Sequence, residues 1–321
     1  MFADVNDRAD RTEYKHEAQE QLLQIKRSFK DKGNQMKFTK LATSIGLTVG
    51  SVLFVANSAQ AGTFTSNVTL DSDNPTKGDV ILNSITQNDK TFSNFSFVNE
   101  VNVWDNQQWT GGNTGAASTD RGINASLPES IDEDNKAVNE SPTTDRVAAF
   151  LGNNNLNNII DTEDGGTFNT QLFFDSILRV DDTGLDSLFF YERGKNSNML
   201  IQAIDQDGNL IGNKLLLEGG KKAPDKSKIT DSYDDFIEQQ DAGFAIETKE
   251  IRGKTQEVGS WGVSLADLGV RSLSGVQIYA SGNKYNGPDF KVVARKVPEP
   301  GTIIGLGSVA ALAFFRRRKS K

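Results

Sequence analysis

Apolar and polar residues alternate over several short stretches of the chain, as they do in half-buried β-strands. The stretches around Phe95 and Phe97, from Trp261 to Leu265 and from Val276 to Ala280 follow this two-residue period. Denser apolar runs fit central strands with both faces covered, and they lie at 172–174, 188–191, 199–201 and 215–217. The pattern predicts an all-β fold, with a single β-sandwich of jelly-roll type.

The segments between these runs predict turns and one long loop. Residues 105–145 are rich in Asn, Gly, Ser and acidic residues, and we predict a long mobile loop there. Residues 146–151 are expected to form one helical turn. The stretch from Asp205 to Asn209 separates two apolar runs and predicts a hairpin turn. The body is then either one domain or two subdomains that meet near residue 150.

The C-terminal tail has three parts with separate physical meanings. In Val297-Pro298-Glu299-Pro300, the prolines lack backbone donors and hold an acidic residue near polyproline II geometry. Residues 303–315 are apolar and uncharged, and a basic cluster follows, made up of Arg316, Arg317, Arg318 and Lys319. Such a cluster stays on the cytoplasmic side of a membrane and would stop transfer of the chain.

In this order, residues 297–321 resemble the PEP-CTERM sorting signal. The resemblance implies processing by an exosortase, a membrane-embedded cysteine peptidase of bacteria, with Glu299 as the recognised charge between two extended prolines. The apolar segment of about 14 residues is shorter than the roughly 20 residues that a spanning helix needs. A permanent tail anchor and a buried terminal helix are the alternatives.

Near its N-terminus the chain carries the pattern of a secretory signal peptide at residues 36–61. A short basic stretch at Met36–Lys40 precedes an apolar run, and the cleavage site is marked by Ala59, Ala61 and Gly62. We expect the general secretion machinery to export the chain and signal peptidase to release it at Gly62. Residues 1–35 are polar and charged, and we expect them to be an upstream extension, with Met36 the true start.

The remaining body, residues 62–296, is strongly acidic. It holds 21 basic and 35 acidic residues, a net charge of −14, which the whole-chain value of −8 understates. This charge repels nucleic acid and anionic lipid and suits an extracellular or cation-binding protein.

Cysteine is absent, and the chain's one histidine, His16, lies ahead of the signal peptide. Catalytic dyads and triads that need an imidazole or a thiolate are therefore excluded from the body, as are the usual zinc ligand sets. We expect a body that is not an enzyme and that folds around an apolar core without disulfides.

Acidic clusters raise the question of calcium, which prefers oxygen ligands on loops. Asp161, Glu163 and Asp164 are weak candidates for such a site, because an acidic surface also produces clusters by chance. Further clusters occur at 71–74, 181–182 and 205–209. The last does not fit an EF-hand, since Gly208 comes too early and Leu216 stands at the twelfth position. We therefore expect no required cofactor.

Carbohydrate chemistry is the other alternative for the body. Glycoside hydrolysis needs two carboxylates and no histidine, and Glu192 with Glu100 or Asp175 is the candidate pair. Against this, Glu192 and Arg193 also fit an ion pair at a strand end. Sugar binding without hydrolysis would use exposed aromatic side chains, for which the tryptophans are Trp104, Trp109 and Trp261, the last expected in the core.

Three blocks of the body resemble a group of cyanobacterial exosortase-dependent surface proteins. They are residues 151–161, residues 192–197 with Glu192-Arg193-Gly194, and residues 285–293 with Asn286-Gly287-Pro288. The resemblance implies export and display but no activity. Physically, the Asn-rich block also fits a set of turns, and Asn286-Gly287-Pro288 fits a tight turn into the final strand.

Together these features predict an exported surface or matrix protein that is a substrate of an exosortase. Its precursor would be inserted in the inner membrane through residues 303–315, with the C-terminus in the cytoplasm. A carbohydrate- or calcium-binding adhesion module is the first alternative, with extracellular polysaccharide as a partner, and a glycoside hydrolase is the second. Nucleic acid is not expected as a partner.

Overall fold

A computed structural model describes residues 63–107, 117–131 and 142–297, and it confirms the all-β prediction. The strands of this part are β1 (Phe64–Leu70), β2 (Val80–Gln87), β3 (Lys90–Phe92), β4 (Phe95–Ser96), β5 (Val98–Gln107), β6 (Ala117–Arg121), β7 (Asn158–Thr162), β8 (Thr167–Arg179), β9 (Leu188–Arg193), β10 (Met199–Ile204), β11 (Leu210–Glu218), β12 (Asp235–Glu238), β13 (Gln240–Ile246), β14 (Gln256–Val263), β15 (Ser272–Ser281) and β16 (Phe290–Arg295). One α-helix, α1 (Thr144–Leu151), and two short 3-10 helices, Lys226–Lys228 and Gly282–Lys284, complete the described part.

Two large sheets stack face to face and form the sandwich. One has the strand order β12-β11-β10-β15-β8-β5, and the other has the order β13-β14-β9-β16-β7-β6, with β4 added beside β16. Strands from either side of residue 150 pair with one another, because β5 lies beside β8 and β6 beside β7. The body therefore does not divide near residue 150.

The main core lies between these sheets, and a second core lies on the outer face of the seven-stranded sheet. Phe190 and Trp261 belong to the first core, whereas Phe189 and Tyr191 belong to the second. A small sheet, β1-β2-β3, contributes Leu82 and other apolar residues to the second core. Both faces of β9 are consequently covered, which explains its unbroken run of apolar residues. The sequence did not predict this third sheet.

Helix α1 packs at the end of the sandwich where β5 and β6 are the edge strands. The Thr143 hydroxyl caps its start by accepting a hydrogen bond from the Arg146 N–H at 3.2 Å. Val147, Phe150 and Leu151 point into the main core. The sequence predicted one turn at 146–151, and the structure extends this to the eight residues of Thr144–Leu151.

The prediction of one continuous loop over residues 105–145 is wrong. Strand β5 runs on to Gln107, and β6 at Ala117–Arg121 pairs with β7 along its whole length. All five residues of β6 are buried although the strand has no large apolar side chain. Pairing and polar contacts hold this strand in place, so hydrophobic periodicity gave no signal for it.

Other local predictions are confirmed. Asp205–Asn209 connects β10 and β11 as an antiparallel hairpin, and the Asp205 carboxylate accepts from the Asn209 backbone N–H at 2.9 Å. Asn286 and Gly287 both have positive φ in the turn before β16. A Cβ on Gly287 would lie 2.1 Å from the Thr162 carbonyl oxygen, so both space and backbone favour glycine there.

The predicted signal peptide and sorting helix fall outside the described residues. No helix within residues 63–107, 117–131 and 142–297 is both long and apolar enough to cross a membrane.

Candidate functional site

The predicted sorting motif begins directly after β16, which lies inside the seven-stranded sheet between β9 and β7. All six residues of β16 are buried. Phe290, Val292 and Ala294 face the main core, and Val293 faces the second. The tail therefore leaves the body from an internal strand and not from a frayed edge.

Arg295, the last residue of β16, fixes the base of the tail. Its guanidinium lies 2.6 Å and 3.2 Å from the two carboxylate oxygens of Asp181, and its Nε donates to the Asp186 carbonyl oxygen at 2.9 Å. Burial opposes ionisation of Asp181, but hydrogen bonds from Arg295 and Thr183 lower its pKa below the ordinary value. The guanidinium also lies over the Phe92 ring, 5.6 Å from its centre.

Backbone hydrogen bonds continue this attachment for one residue more. The Arg295 N–H donates to the Ser187 carbonyl at 2.8 Å, and the Lys296 N–H donates to the Asn94 carbonyl at 3.0 Å. Val297 is half-buried, and Pro298, Glu299 and Pro300 lie outside the described residues. The described part of the chain thus reaches Val297, the first residue of the predicted motif.

A cleft of about 600 Å³ lies beside the base of the tail. Its lining combines amides, a hydroxyl, two aromatic rings and one cation, supplied by Asn83, Asn94, Asn154, Ser93, Phe95, Phe97, Lys296 and Leu82. Among the described residues, no carboxylate lines this cleft. A second cleft of about 230 Å³ opens elsewhere on the body, with Asp231 and Lys214 in its lining.

The densest group of charges in the described residues surrounds Arg193, at the end of β9. Its guanidinium lies 2.9 Å from Asp120, 2.6 Å from Asp161 and 2.7 Å from Asp289. It also donates to the Thr248 hydroxyl. The guanidinium is thus in contact with three carboxylates from three other segments of the chain.

Charge within this cluster is not balanced, because three carboxylates face one guanidinium. Burial and then repulsion from Asp161 raise the pKa of Asp120 to about 7. Burial likewise raises the pKa of Asp289 well above its ordinary value. Burial opposes the charge of Arg193, but the surrounding carboxylates raise its pKa. The arrangement is a buried ionic network that holds strands together.

Glu192 does not form an ion pair with its neighbour Arg193, so the predicted strand-end pair between these two residues is wrong. Adjacent residues of a strand point to opposite faces of the sheet. Glu192 is fully buried and accepts a hydrogen bond from the Gln239 amide at 3.0 Å. Its second oxygen accepts no hydrogen bond of standard geometry from the described residues. Burial raises the pKa of Glu192 to about 8.

The candidate partners of Glu192 in glycoside hydrolysis lie on other strands. Glu100 is exposed on β5. Asp175 on β8 accepts a hydrogen bond from Ser96. Glu192 lines neither of the two clefts described above, so the structure does not place the candidate carboxylates around a shared substrate space there.

The three weak calcium candidates have different structural roles. Asp161 is buried against Arg193, whereas Glu163 and Asp164 lie in the turn that follows β7. Among the described residues, no group of three or more acidic or histidine side chains has a geometry that would hold a metal ion. The acidic cluster at 71–74 stabilises a turn, since Asp71 accepts from the backbone N–H groups of Asp73 and Asn74.

Of the tryptophans, Trp261 is fully buried, as expected, and its indole N–H donates to the Glu218 carbonyl at 2.9 Å. The side chain of Trp104 and the whole of Trp109 lie outside the described residues.

Comparison with known families bears on the tail. Residues 296–319 match the family model of the PEP-CTERM protein-sorting motif. The chain carries a PEP-CTERM motif. This PEP-CTERM motif marks an exported protein targeted by an exosortase, and it starts at Lys296, one residue after β16 ends. A comparison with curated proteins found no match to the chain. The match covers the tail and not the sandwich.

We predict that Arg295→Met weakens the attachment of the PEP-CTERM tail to the body. The change removes the guanidinium partner of Asp181 and the Arg295 hydrogen bond to the Asp186 carbonyl, which should lower the free energy of unfolding by about 1–3 kcal/mol. Lys296→Met is the matched control, because the Lys296 side chain is 50% exposed, and it should change stability by less than about 0.5 kcal/mol. Urea unfolding of both variants measures the difference, and equal losses would contradict the role of Arg295.

We predict that Glu192 makes stability depend on pH. Its folded pKa of about 8 lies above the ordinary 4.5, so its stabilising contribution is present at low pH and is lost as pH rises through about 8. One such group changes the free energy of unfolding by up to about 1.4 kcal/mol per pH unit. Glu192→Gln should remove this part of the slope between about pH 4.5 and about pH 8.

The matched control for this measurement is Glu257→Gln, whose side chain is 72% exposed. That variant should keep the wild-type slope in urea unfolding across the same range. A Glu192→Gln slope equal to that of wild type would show that the buried carboxyl does not titrate as described.

Proposed function

We propose that this protein is displayed at the cell surface or in the extracellular matrix as a non-catalytic β-sandwich, after an exosortase processes its tail. The observation that carries the proposal is the PEP-CTERM match at residues 296–319. The precursor would be exported through its signal peptide and held in the inner membrane by residues 303–315, with the basic cluster in the cytoplasm.

The short connection between body and membrane segment supports this topology. Residues 297–302 form the link between β16 and the apolar run. Fully extended, six residues span roughly 20 Å. The folded body of the precursor would therefore stay within about 20 Å of the membrane surface, where a membrane-embedded peptidase acts. Pro298 and Pro300 favour an extended chain across this gap.

The chemistry of the body supports a non-catalytic role. In the part of the chain that the structure describes, the large cleft carries no carboxylate and Glu192 lines neither cleft. The most perturbed charges lie in the Arg193 network, where every charged group has an ion-pair partner and none lines either cleft. These groups stabilise the fold and do not face a substrate space.

Glu299→Gln tests the sorting mechanism. We expect this variant to accumulate in the membrane fraction as uncleaved precursor, because the charge between the two prolines is lost. Glu257→Gln, an exposed substitution of the same type in the body, should be processed normally. Fractionation and mass measurement of the C-terminus in the native host distinguish the two, and release of Glu299→Gln at the wild-type level would refute the mechanism.

A second candidate function, carbohydrate binding, is favoured by the large cleft. Its amides and hydroxyl can hydrogen-bond sugar hydroxyls, and the rings of Phe95 and Phe97 offer apolar surface for the face of a pyranose. A volume of about 600 Å³ accommodates a short oligosaccharide. The cleft adjoins the base of the tail, so the displayed protein would bring bound polysaccharide close to its attachment point.

Glycan-array screening of wild type and Phe97→Ala tests this candidate. If the cleft binds a glycan, Phe97→Ala should weaken binding by about tenfold or more, in line with the loss of one buried contact. Phe236→Ala, which alters an exposed phenylalanine on β12, should bind as wild type does. Absence of any glycan signal with the wild-type protein would remove the candidate.

A further inference from the structure

Lys291 is a fully buried lysine on β16 that has no acidic partner among the residues that the structure describes. Its side chain is 0% exposed. Its Nζ contacts the Phe150 carbonyl oxygen, at the end of α1, and the carboxamide Oδ1 of Asn153 at 3.2 Å. Within the described part of the chain it takes part in none of the ion pairs. A buried ammonium without a counter-charge is costly, so the site favours the neutral amine.

Asn153 is held in place around this amine by the backbone. Its Oδ1 also accepts from the Asn155 N–H at 2.9 Å, and its Nδ2 donates to the carbonyl oxygens of Ala149 at 2.8 Å and Phe150 at 3.2 Å. The Phe150 carbonyl therefore accepts hydrogen bonds from Nζ of Lys291 and from Nδ2 of Asn153. The two nitrogens are confined to one small space.

Burial lowers the pKa of Lys291 well below its ordinary value, and no nearby charge opposes the effect. The amine consequently keeps the lone pair that a nucleophile needs. The Asn155 N–H points at the carboxamide oxygen, where negative charge would develop during attack on the carbon. Nucleophile, electrophile and oxyanion donor are thus assembled around one buried amine.

We propose that Lys291 and Asn153 form an intramolecular amide bond. The lone pair of Nζ attacks Cγ of Asn153 and forms the new Nζ–Cγ bond. The Cγ–Nδ2 bond breaks, and Nδ2 leaves as ammonia after it takes one proton from Nζ. No oxidant, reductant or other reactant enters. The product keeps the local hydrogen bonding, because its N–H can donate to Phe150 and its carbonyl can accept from Asn155.

An ordinary role for Lys291 would be to cap the C-terminus of α1, where a cation is favourable. That role needs a charged group, and a partly exposed lysine would fulfil it without the cost of burial. Amide formation requires a neutral amine beside a carboxamide, and the burial of Lys291 and its contact with the Asn153 carboxamide at 3.2 Å supply both. They are not needed for a cap.

The bond would have a clear consequence for a displayed protein without cysteine. It would join residues that are 138 positions apart, and it would fasten the strand that carries the tail to the loop after α1. Such a cross-link restricts the unfolded chain as a disulfide does. It is independent of the proposed surface display, since it forms within the body whether or not the tail is processed.

Trypsin digestion and mass spectrometry of the full chain test the proposal. Trypsin does not cleave after an acylated lysine, so we expect a linked species composed of residues 147–179 and residues 285–295. Its mass should be that of the two peptides less one ammonia. A linked species distinguishes this bond from cyclisation of an asparagine onto the backbone, which also releases ammonia but joins no second peptide.

Lys291→Met and Asn153→Ala serve as controls and should yield no linked species. The wild-type measurement decides the matter even if either variant fails to fold. Recovery of residues 147–179 and 285–291 as separate, unmodified peptides in full yield, from fresh and from stored wild-type protein, would overturn the proposal.

Discussion

The contact of Arg193 with three aspartates holds the seven-stranded sheet together at one end. Arg193 is on β9, Asp289 directly precedes β16, Asp161 is on β7 and Asp120 is on β6. These are four consecutive strands in the sheet. In a protein without cysteine, one guanidinium thus connects elements that a disulfide could join only in pairs. Because the site is buried, removal of the arginine would leave charges without compensation, a loss typically larger than that of a surface ion pair.

The same sheet determines how the tail is presented. Strand β16 is anchored at its start by the Asp289 contact and at its end by Arg295, and its middle is buried on both faces. A force or a peptidase acting on the tail therefore meets an internal strand with neighbours on both sides. This arrangement suits a sequence that must remain accessible next to a body that stays folded. The acidic surface, with a net charge of −14 over residues 62–296, also favours separation of the body from anionic lipid.

The strands with strong apolar patterns were predictable, and those held by polar contacts were not. The runs at β8 to β11 and the hairpin at Asp205 follow from period, density and turn chemistry. Strand β6 was not predicted, because Ala117–Arg121 contains no large apolar residue and is buried through pairing with β7. The third sheet was not predicted. Alternation of apolar and polar residues shows that one face of a strand is covered, but it does not show which element covers it.

The residues of the candidate site were likewise predictable only in part. Glu192 and Arg193 were singled out from the sequence, yet their partners were assigned wrongly, because neighbours on a strand face opposite sides. The three sequence blocks at 151–161, 192–197 and 285–293 do converge, since Asp161, Arg193 and Asp289 lie in contact. Their polar character was visible in the sequence. Their mutual geometry depends on strand order, which no local pattern contains.

The sequence by itself determined the sorting motif, predicted a leader, and excluded histidine and cysteine chemistry from residues 62–296. Leader and tail are contiguous patterns of charge, proline and apolar length, and a membrane or a peptidase recognises such patterns without a folded partner. The tertiary structure alone decided which polar side chains meet. Asp120 reaches Arg193 across 73 positions and Asn153 reaches Lys291 across 138. Pairing between distant strands sets those contacts, because sheet register brings together residues that the chain keeps far apart.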